Sequence, residues 1–348
     1  MWTGFFILEG FDFGVGMLHS AIGRDEAERR AAINTIGPLW DGNEVWLIVA
    51  AAAMFAAFPG WYATMFSAYY LALVLVLASL IIRGVAFEYR GKRDAARWRR
   101  TWDVCLTVGS VAAPLLIGVA LAGLVHGLPI NSAQNYTGSF WDLLQPYPLF
   151  TGITLVLICA LHGATFLSLK TTDDMHERAR QLARRIAPFT GAAVIGFVIW
   201  THVTYSSAFF LNPIELLTVL AVLTAVWLVY ERRDGFAFAA TTVTIASCIV
   251  AIFAGLYPNV MVSSTKAAYN LTVYNAASGG YSLKIMTVVV IILLPVVLLY
   301  QGWTYYVFRR RVSKQQFQPQ PPSPAPAPPG AAVGSPDRAQ PSAPGPAA

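Results

Sequence analysis

Apolar stretches long enough to cross a membrane as helices recur from one end of this chain to the other, separated by short polar or basic joints. Of 348 residues, 56% are hydrophobic and only 12% charged, against about 25% charged in soluble domains. Water cannot be the solvent for most of such a chain. The pattern predicts an all-α integral membrane protein with about nine transmembrane helices, near 1–22, 38–57, 61–85, 103–126, 148–169, 187–209, 213–230, 236–257 and 283–308.

Cys105, Cys159 and Cys248 lie inside apolar spans, with no CxxC spacing and no cluster fit for zinc or iron–sulfur, so they read as packing residues. The first span lacks a basic lead and a small-residue cleavage site and carries Glu9 and Asp12, so it reads as a retained helix, not a signal. An apolar run that starts at the first residue suggests that residues preceding Met1 belong to the natural start.

Basic residues orient the predicted bundle, because lysine and arginine favour the cytoplasmic side of short loops. They gather after the odd-numbered spans, within Arg24–Arg30, Arg90–Arg100, Lys170–Arg185, Arg232–Arg233 and Arg309–Lys314, while the other joints hold only Lys266 and Lys284. This alternation predicts an N-terminus outside and a C-terminus in the cytoplasm. The net charge of +6 then reflects membrane orientation, not nucleic-acid binding. Beyond Lys314 the composition turns to Pro, Ala, Ser, Gln and Gly, which predicts a disordered, dispensable cytoplasmic tail over 315–348. The acid-then-base joint Gly23–Arg30 echoes Thr172–Arg178. Two like-oriented four-helix units, 1–126 and 148–257, plus a lone ninth helix at 283–308, would place these joints equivalently, although such joints are common enough to arise without a repeat.

Ionisable side chains inside a bilayer cost about 2.5–3.5 kcal/mol each on insertion scales, so they usually mark a polar pathway. Four cluster in the first two spans: Glu9 and Asp12 are three apart, as are Asp41 and Glu44, so each pair can face one crevice. Asp12 falls roughly 15 Å from the cytoplasmic end of its helix, near mid-membrane, and Asp41 and Glu44 fall one or two turns into the next. Together they suggest a proton ladder from the cytoplasm. The simpler reading is that Asp41 and Glu44 favour a helix N-terminus, with Glu44 solvated at the interface. Gly10, Gly14 and Gly16 surround Asp12 and would let a neighbouring backbone come close. Arg83, near the end of the third span, either snorkels to the interface, the favoured reading, or pairs with a buried acid. His162 and His202 are the histidines best placed for haem, but neither sits in a haem motif, and hydrogen bonding to a neighbouring helix is the expectation for both.

The segment Gly10-Phe11-Asp12-Phe13-Gly14-Val15-Gly16-Met17, then Arg29-Arg30, then Trp40-Asp41-Gly42-Asn43-Glu44-Val45-Trp46-Leu47, closely resembles the signature of the small subunit, subunit II, of cytochrome bd-type quinol oxidases. Matches continue through Phe55–Pro59, Arg83 to Arg90, Arg97-Trp98-Arg99, Trp102-Asp103 and Ser263-Ser264-Thr265, covering nearly all of 4–312. The resemblance implies two four-helix bundles plus one peripheral helix in a bacterial plasma membrane. It implies that no haem is held by this chain, two haems b and one haem d being held by a large partner subunit. It also implies that Asp12 and Asp41 belong to a proton route and that Trp46 lies close to an access path for oxygen; Glu9 and Glu44 are expected in support of that route, and Trp40, Gly42, Asn43 and Arg83 in support of the polar site. Quinol would be oxidised near the outer face and oxygen reduced with protons from inside, generating a potential without a pump. Implied partners are the haem-bearing large subunit, membrane lipid and quinone, and small accessory subunits where present. The alternatives are a secondary transporter, which mid-membrane acids also characterise, and a purely structural membrane subunit. No metal site is predicted in this chain.

Overall fold

Helix α1 (Trp2–Ile22) runs through the middle of the structure because its small residues fall where other helices cross it. A Cβ on Gly14 would overlap the Cys159 carbonyl oxygen and sit 2.6 Å from Gly163 Cα on α7 (Pro146–Lys170). A Cβ on Gly16 would overlap the Ser110 hydroxyl on α6 (Ala96–His126). Side chains as large as alanine at those points would push both neighbours outward, so the glycines set how closely α1 is embraced.

The computed structural model describes residues 1–205 and 210–318. Residues 206–209 of the predicted sixth span and most of the predicted tail, from 319 onward, lie outside the described residues. The joint after α1 folds into a short helix, α2 (Glu26–Asn34), capped by Asp25, whose carboxylate accepts the Glu28 N–H at 2.8 Å. The second predicted span is α3 (Trp40–Ala57), and the third divides into α4 (Pro59–Ala68) and α5 (Tyr70–Tyr89). The break falls at Tyr69, which leaves helical geometry while its buried side chain packs under Gly123 of α6. The later spans are α8 (Asp173–Tyr205), α9 (Pro213–Tyr230), α10 (Asp234–Leu256) and α11 (Gly280–Val307). Both α6 and α8 begin well before the predicted 103 and 187, because Arg97–Arg100 and Arg178–Arg185 are good helix formers that carry the helices out into the polar end. Residues 314–317, which straddle the predicted start of the tail, form a single helical turn that packs on α2.

Among the described residues, eight helices are long and apolar enough to cross a membrane. The 18-residue α3 is the predicted second span, and its polar opening Trp40-Asp41-Gly42-Asn43-Glu44 lowers its mean hydropathy. At about 1.5 Å per residue it still reaches roughly 27 Å. This is an all-α membrane protein: α5, α9 and α11 turn rows of leucine, valine and isoleucine outward, which in water would be a large aggregation surface.

The two ends of the bundle are chemically different. At one, the basic joints lock together: Arg178 at the start of α8 pairs with Glu28 of α2 at 2.7 Å, Lys314 reaches the same carboxylate at 3.6 Å, and Arg180 clasps Asp234 at 2.6 Å. The two acid-then-base joints therefore meet through Glu28. At the other end, a two-stranded ribbon, β1 (Asn259–Met261) with β2 (Leu271–Thr272), covers the apolar core beside α6 and α10.

Burial works against the charge on Glu28, yet the Arg178 guanidinium, the Arg24 N–H and the Lys314 charge together hold its carboxyl below the ordinary value of 4.5. A carboxyl depressed in the fold stabilises it above the unfolded value, and that contribution is lost as pH falls through the folded value. Glu28→Gln should therefore lower thermal stability at neutral pH by about 1–3 kcal/mol, with the gap closing below about pH 4. Melting curves of both proteins across that range would show a pH-independent gap if Glu28 acted only by shape.

Candidate functional site

Arg83 is the largest fully buried side chain among the described residues, and it lies where three helices can reach it. Its guanidinium sits 4.9 Å from the Phe13 ring centroid and 5.2 Å from that of Phe87. Its Nη1 is 2.5 Å from Glu9 Oε1 of α1 and 3.1 Å from Glu44 Oε2 of α3. Snorkelling, the reading favoured for Arg83 from sequence, is thus replaced by burial and pairing. The helices can close around so large a group because Gly109 of α6 faces it: a Cβ there would stand 3.0 Å from Arg83 Cβ and 2.6 Å from the Ser79 carbonyl.

Asp12 belongs to an adjoining hydrogen-bond hub centred on Asn43. The Asn43 amide donates to Asp12 Oδ2 at 2.6 Å and to the Leu8 carbonyl at 3.3 Å. Its carbonyl oxygen accepts from Gln301 Nε2 at 2.8 Å and from the Tyr305 hydroxyl at 2.9 Å. The Leu8 carbonyl can only accept, which fixes the amide with its nitrogen toward Leu8 and Asp12. Gln301 and Tyr305 escaped the sequence reading, although polar groups four apart in the apolar ninth span put two hydrogen-bonding side chains on one helix face. Glu9 and Asp12, three residues apart on α1 and both fully buried, link the two groups along that helix. Asp12 Oδ1, both Glu9 oxygens and Arg83 Nε and Nη2 remain without hydrogen bonds among the described residues, although the Glu9 carboxylate is ion-paired.

The remaining predicted residues divide by location. Glu9 and Asp12 both point inward and are fully buried, whereas Glu44 retains 23% side-chain exposure. Asp41 lies on the exposed face of α3 with no hydrogen bond or ion pair among the described residues, so the structure does not bring it to Asp12. The Trp40 ring lies tilted against that of Phe87, centroids 4.8 Å apart, and Gly42 faces open space. Trp46 is buried against Gly4 and borders an apolar cleft of about 380 Å³ between α3 and α11 that ends at Gln301. Of the glycines around Asp12, Gly14 and Gly16 are true contact points, but Gly10 has ordinary clearance, its nearest neighbour being 3.5 Å from a built Cβ.

His162 is buried with Nε2 3.2 Å from the Ile7 carbonyl and Nδ1 2.7 Å from the Thr241 hydroxyl, while its ring stacks on Phe238. His202 bonds Glu215 at 2.9 Å. Among the described residues no group of His, Cys, Asp and Glu is arranged to hold a metal ion. A second buried charge cluster was not anticipated: Arg90 bridges Asp103 of α6 at 2.5 Å and Glu26 of α2 at 2.9 Å, with His19 of α1 at 3.2 Å from Asp103. The sequence sets Arg90 among the many charges of a basic joint, so nothing local singles out its pairing with Asp103.

A family model described as cytochrome bd terminal oxidase subunit II matches residues 1–308. The chain is 44% identical over 322 residues to the cytochrome bd ubiquinol oxidase subunit 2 of Bacillus subtilis, covering 91% of this chain and 95% of that one. It is 36% identical over 360 residues to the cytochrome bd-I ubiquinol oxidase subunit 2 of Escherichia coli K12, covering 90% and 93%. The solved bd oxidase from Geobacillus thermodenitrificans shares the fold, with a TM-score of 0.64 at 19% identity over 88% of this chain and 94% of that one.

The helix crossing that seats Asp12 can be tested without touching a charge. Gly14→Ala must displace α7 backbone and should cost about 1–3 kcal/mol or more, whereas Gly10→Ala should be nearly neutral. Thermal unfolding of the two variants in one detergent measures the difference; equal stability would mean that α1 and α7 do not cross at Gly14.

Proposed function

The chain belongs to the cytochrome bd terminal oxidase subunit II family, and from that membership we propose that it is the haem-free small subunit of a quinol:oxygen oxidoreductase that brings protons from the cytoplasm toward the site of oxygen reduction. It is a multi-pass bacterial membrane protein and a subunit of an oxidoreductase complex. The names of its relatives suggest ubiquinol as electron donor, and the family resemblance implies two haems b and one haem d in the large partner subunit. Reduction of oxygen to water consumes protons, and drawing them from the side opposite quinol oxidation generates a membrane potential without pumping.

The observation that carries the reading is the Glu9–Arg83–Glu44 bridge beside Asp12. Two carboxylates share one guanidinium, with Asp12 on the same helix as Glu9, so titratable groups run from the partly exposed Glu44 to the buried Asp12. Arg83 holds the Glu9 and Glu44 carboxyls on one nitrogen. Glu44, partly exposed, is the member best placed to exchange with the cytoplasmic side. Asp41 on the outer face of α3 would collect protons, Glu44 and Glu9 would pass them inward, and Asp12, anchored through Oδ2 with Oδ1 free, would hold them nearest the hub of Asn43 and Tyr305. Engagement of both nitrogens of His162 supports the haem-free reading. The basic end of the bundle, with its Glu28 node, would face the cytoplasm.

An amide of the same shape cannot bind and release a proton. Asp12→Asn and Asp41→Asn should each slow quinol-dependent oxygen consumption about 10-fold or more, within reach of the ~10²-fold typical of losing an acid–base group, with haem content unchanged. If both variants assemble with normal haem spectra and keep full oxygen reduction and potential generation, the acids are structural and the proton route lies in the large subunit.

A further inference from the structure

At the foot of α11 a cavity of about 540 Å³ opens between the turn joining α2 to α3 and the end of α7. Lys170, Arg310 and Arg311 line it with Asn34, Thr35 and Gln316, and no carboxylate does. Arg310 and Arg311 have no acidic partner among the described residues, whereas Arg90, Arg178 and Arg180 of the neighbouring joints pair with Glu26, Glu28 and Asp234. The cations are also held in place. The Val312 N–H donates to the Lys170 carbonyl at 2.7 Å, the Lys170 ammonium donates to the Phe308 carbonyl, and Lys314 reaches Glu28 at 3.6 Å, so 309–314 form a strap across the base of the bundle.

The level of this cavity is set by a separate feature. Tyr300, Trp303 and Tyr306 stand exposed on the last turns of α11, and exposed Trp and Tyr at the end of an apolar helix mark the headgroup layer. Beyond them, exposed Val296 and Leu299 offer an apolar flank continuous with the hydrocarbon. A cluster of unneutralised cations just past an aromatic belt, opening beside an apolar helix flank, is suited to an anionic headgroup with attached acyl chains. We propose that this cavity binds the phosphate of an anionic phospholipid through Lys170, Arg310 and Arg311, with the acyl chains lying along α11. The lipid would neutralise the strap and fasten the ninth helix, which has no buried residue of its own.

Native mass spectrometry of the complete oxidase, purified with its large subunit and supplied with phosphatidylglycerol or phosphatidylcholine, tests this. The wild-type complex should retain phosphatidylglycerol in preference to phosphatidylcholine. Arg310→Gln combined with Arg311→Gln should weaken that retention about 5-fold for each charge removed. Arg310→Lys with Arg311→Lys should restore it, and an unchanged haem spectrum shows that each variant is assembled. Equal retention of both lipids, or undiminished retention in the glutamine variant, overturns the proposal. Displacement of phosphatidylglycerol by inorganic phosphate alone would also overturn it, because the cavity would then be a site for soluble anions.

Discussion

Burying a guanidinium in a membrane interior is so costly that carboxylates must accompany it, and removing one partner of such a group typically costs about 3–5 kcal/mol. Arg83 therefore does more than neutralise. It comes from α5, Glu9 from α1 and Glu44 from α3, so the ion pairs fix three helices in register at one depth. Phe13 and Phe87 close over the guanidinium and exclude the water that would otherwise loosen the pairing. A hydrophobic contact can slide by a residue with little loss, whereas this arrangement admits one register.

Much of this was legible in the sequence. The apolar periodicity announced the class, and acids three apart in apolar helices announced a polar interior. What the sequence withheld was direction around each helix. Asp41 and Glu44 are three residues apart, yet Asp41 faces outward while Glu44 turns toward Arg83. The choice is made by which side of α3 meets α1, a tertiary fact with no local signature. The same holds for Arg83: near a helix end its long side chain could reach either way, and two waiting carboxylates decided it. Gln301 and Tyr305 read as ordinary polar interruptions until α11 lies against α3.

The polar clusters also divide labour between depths. The Arg83 group contains partners without hydrogen bonds and a carboxylate open to one side, features suited to exchange. The Arg90 group ties Glu26, Asp103 and His19 where α1, α2, α5 and α6 meet, features suited to rigidity. Together with Glu28, which joins α2 to α8, it makes the basic end of the bundle a framework of ion pairs across joints that would otherwise be loose loops.

The attachment of α11 bears on how the protein is made. Asn43 enters the membrane with the second span, but both donors to its carbonyl oxygen come from Gln301 and Tyr305 in the last. During synthesis, then, an amide destined for a dry interior waits with an unmet acceptor until the final helix leaves the ribosome and docks. Docking of that helix closes the hydrogen-bond network around Asp12, so a chain stalled or clipped short of it would carry an exposed polar fault in the bilayer that quality-control proteases could recognise.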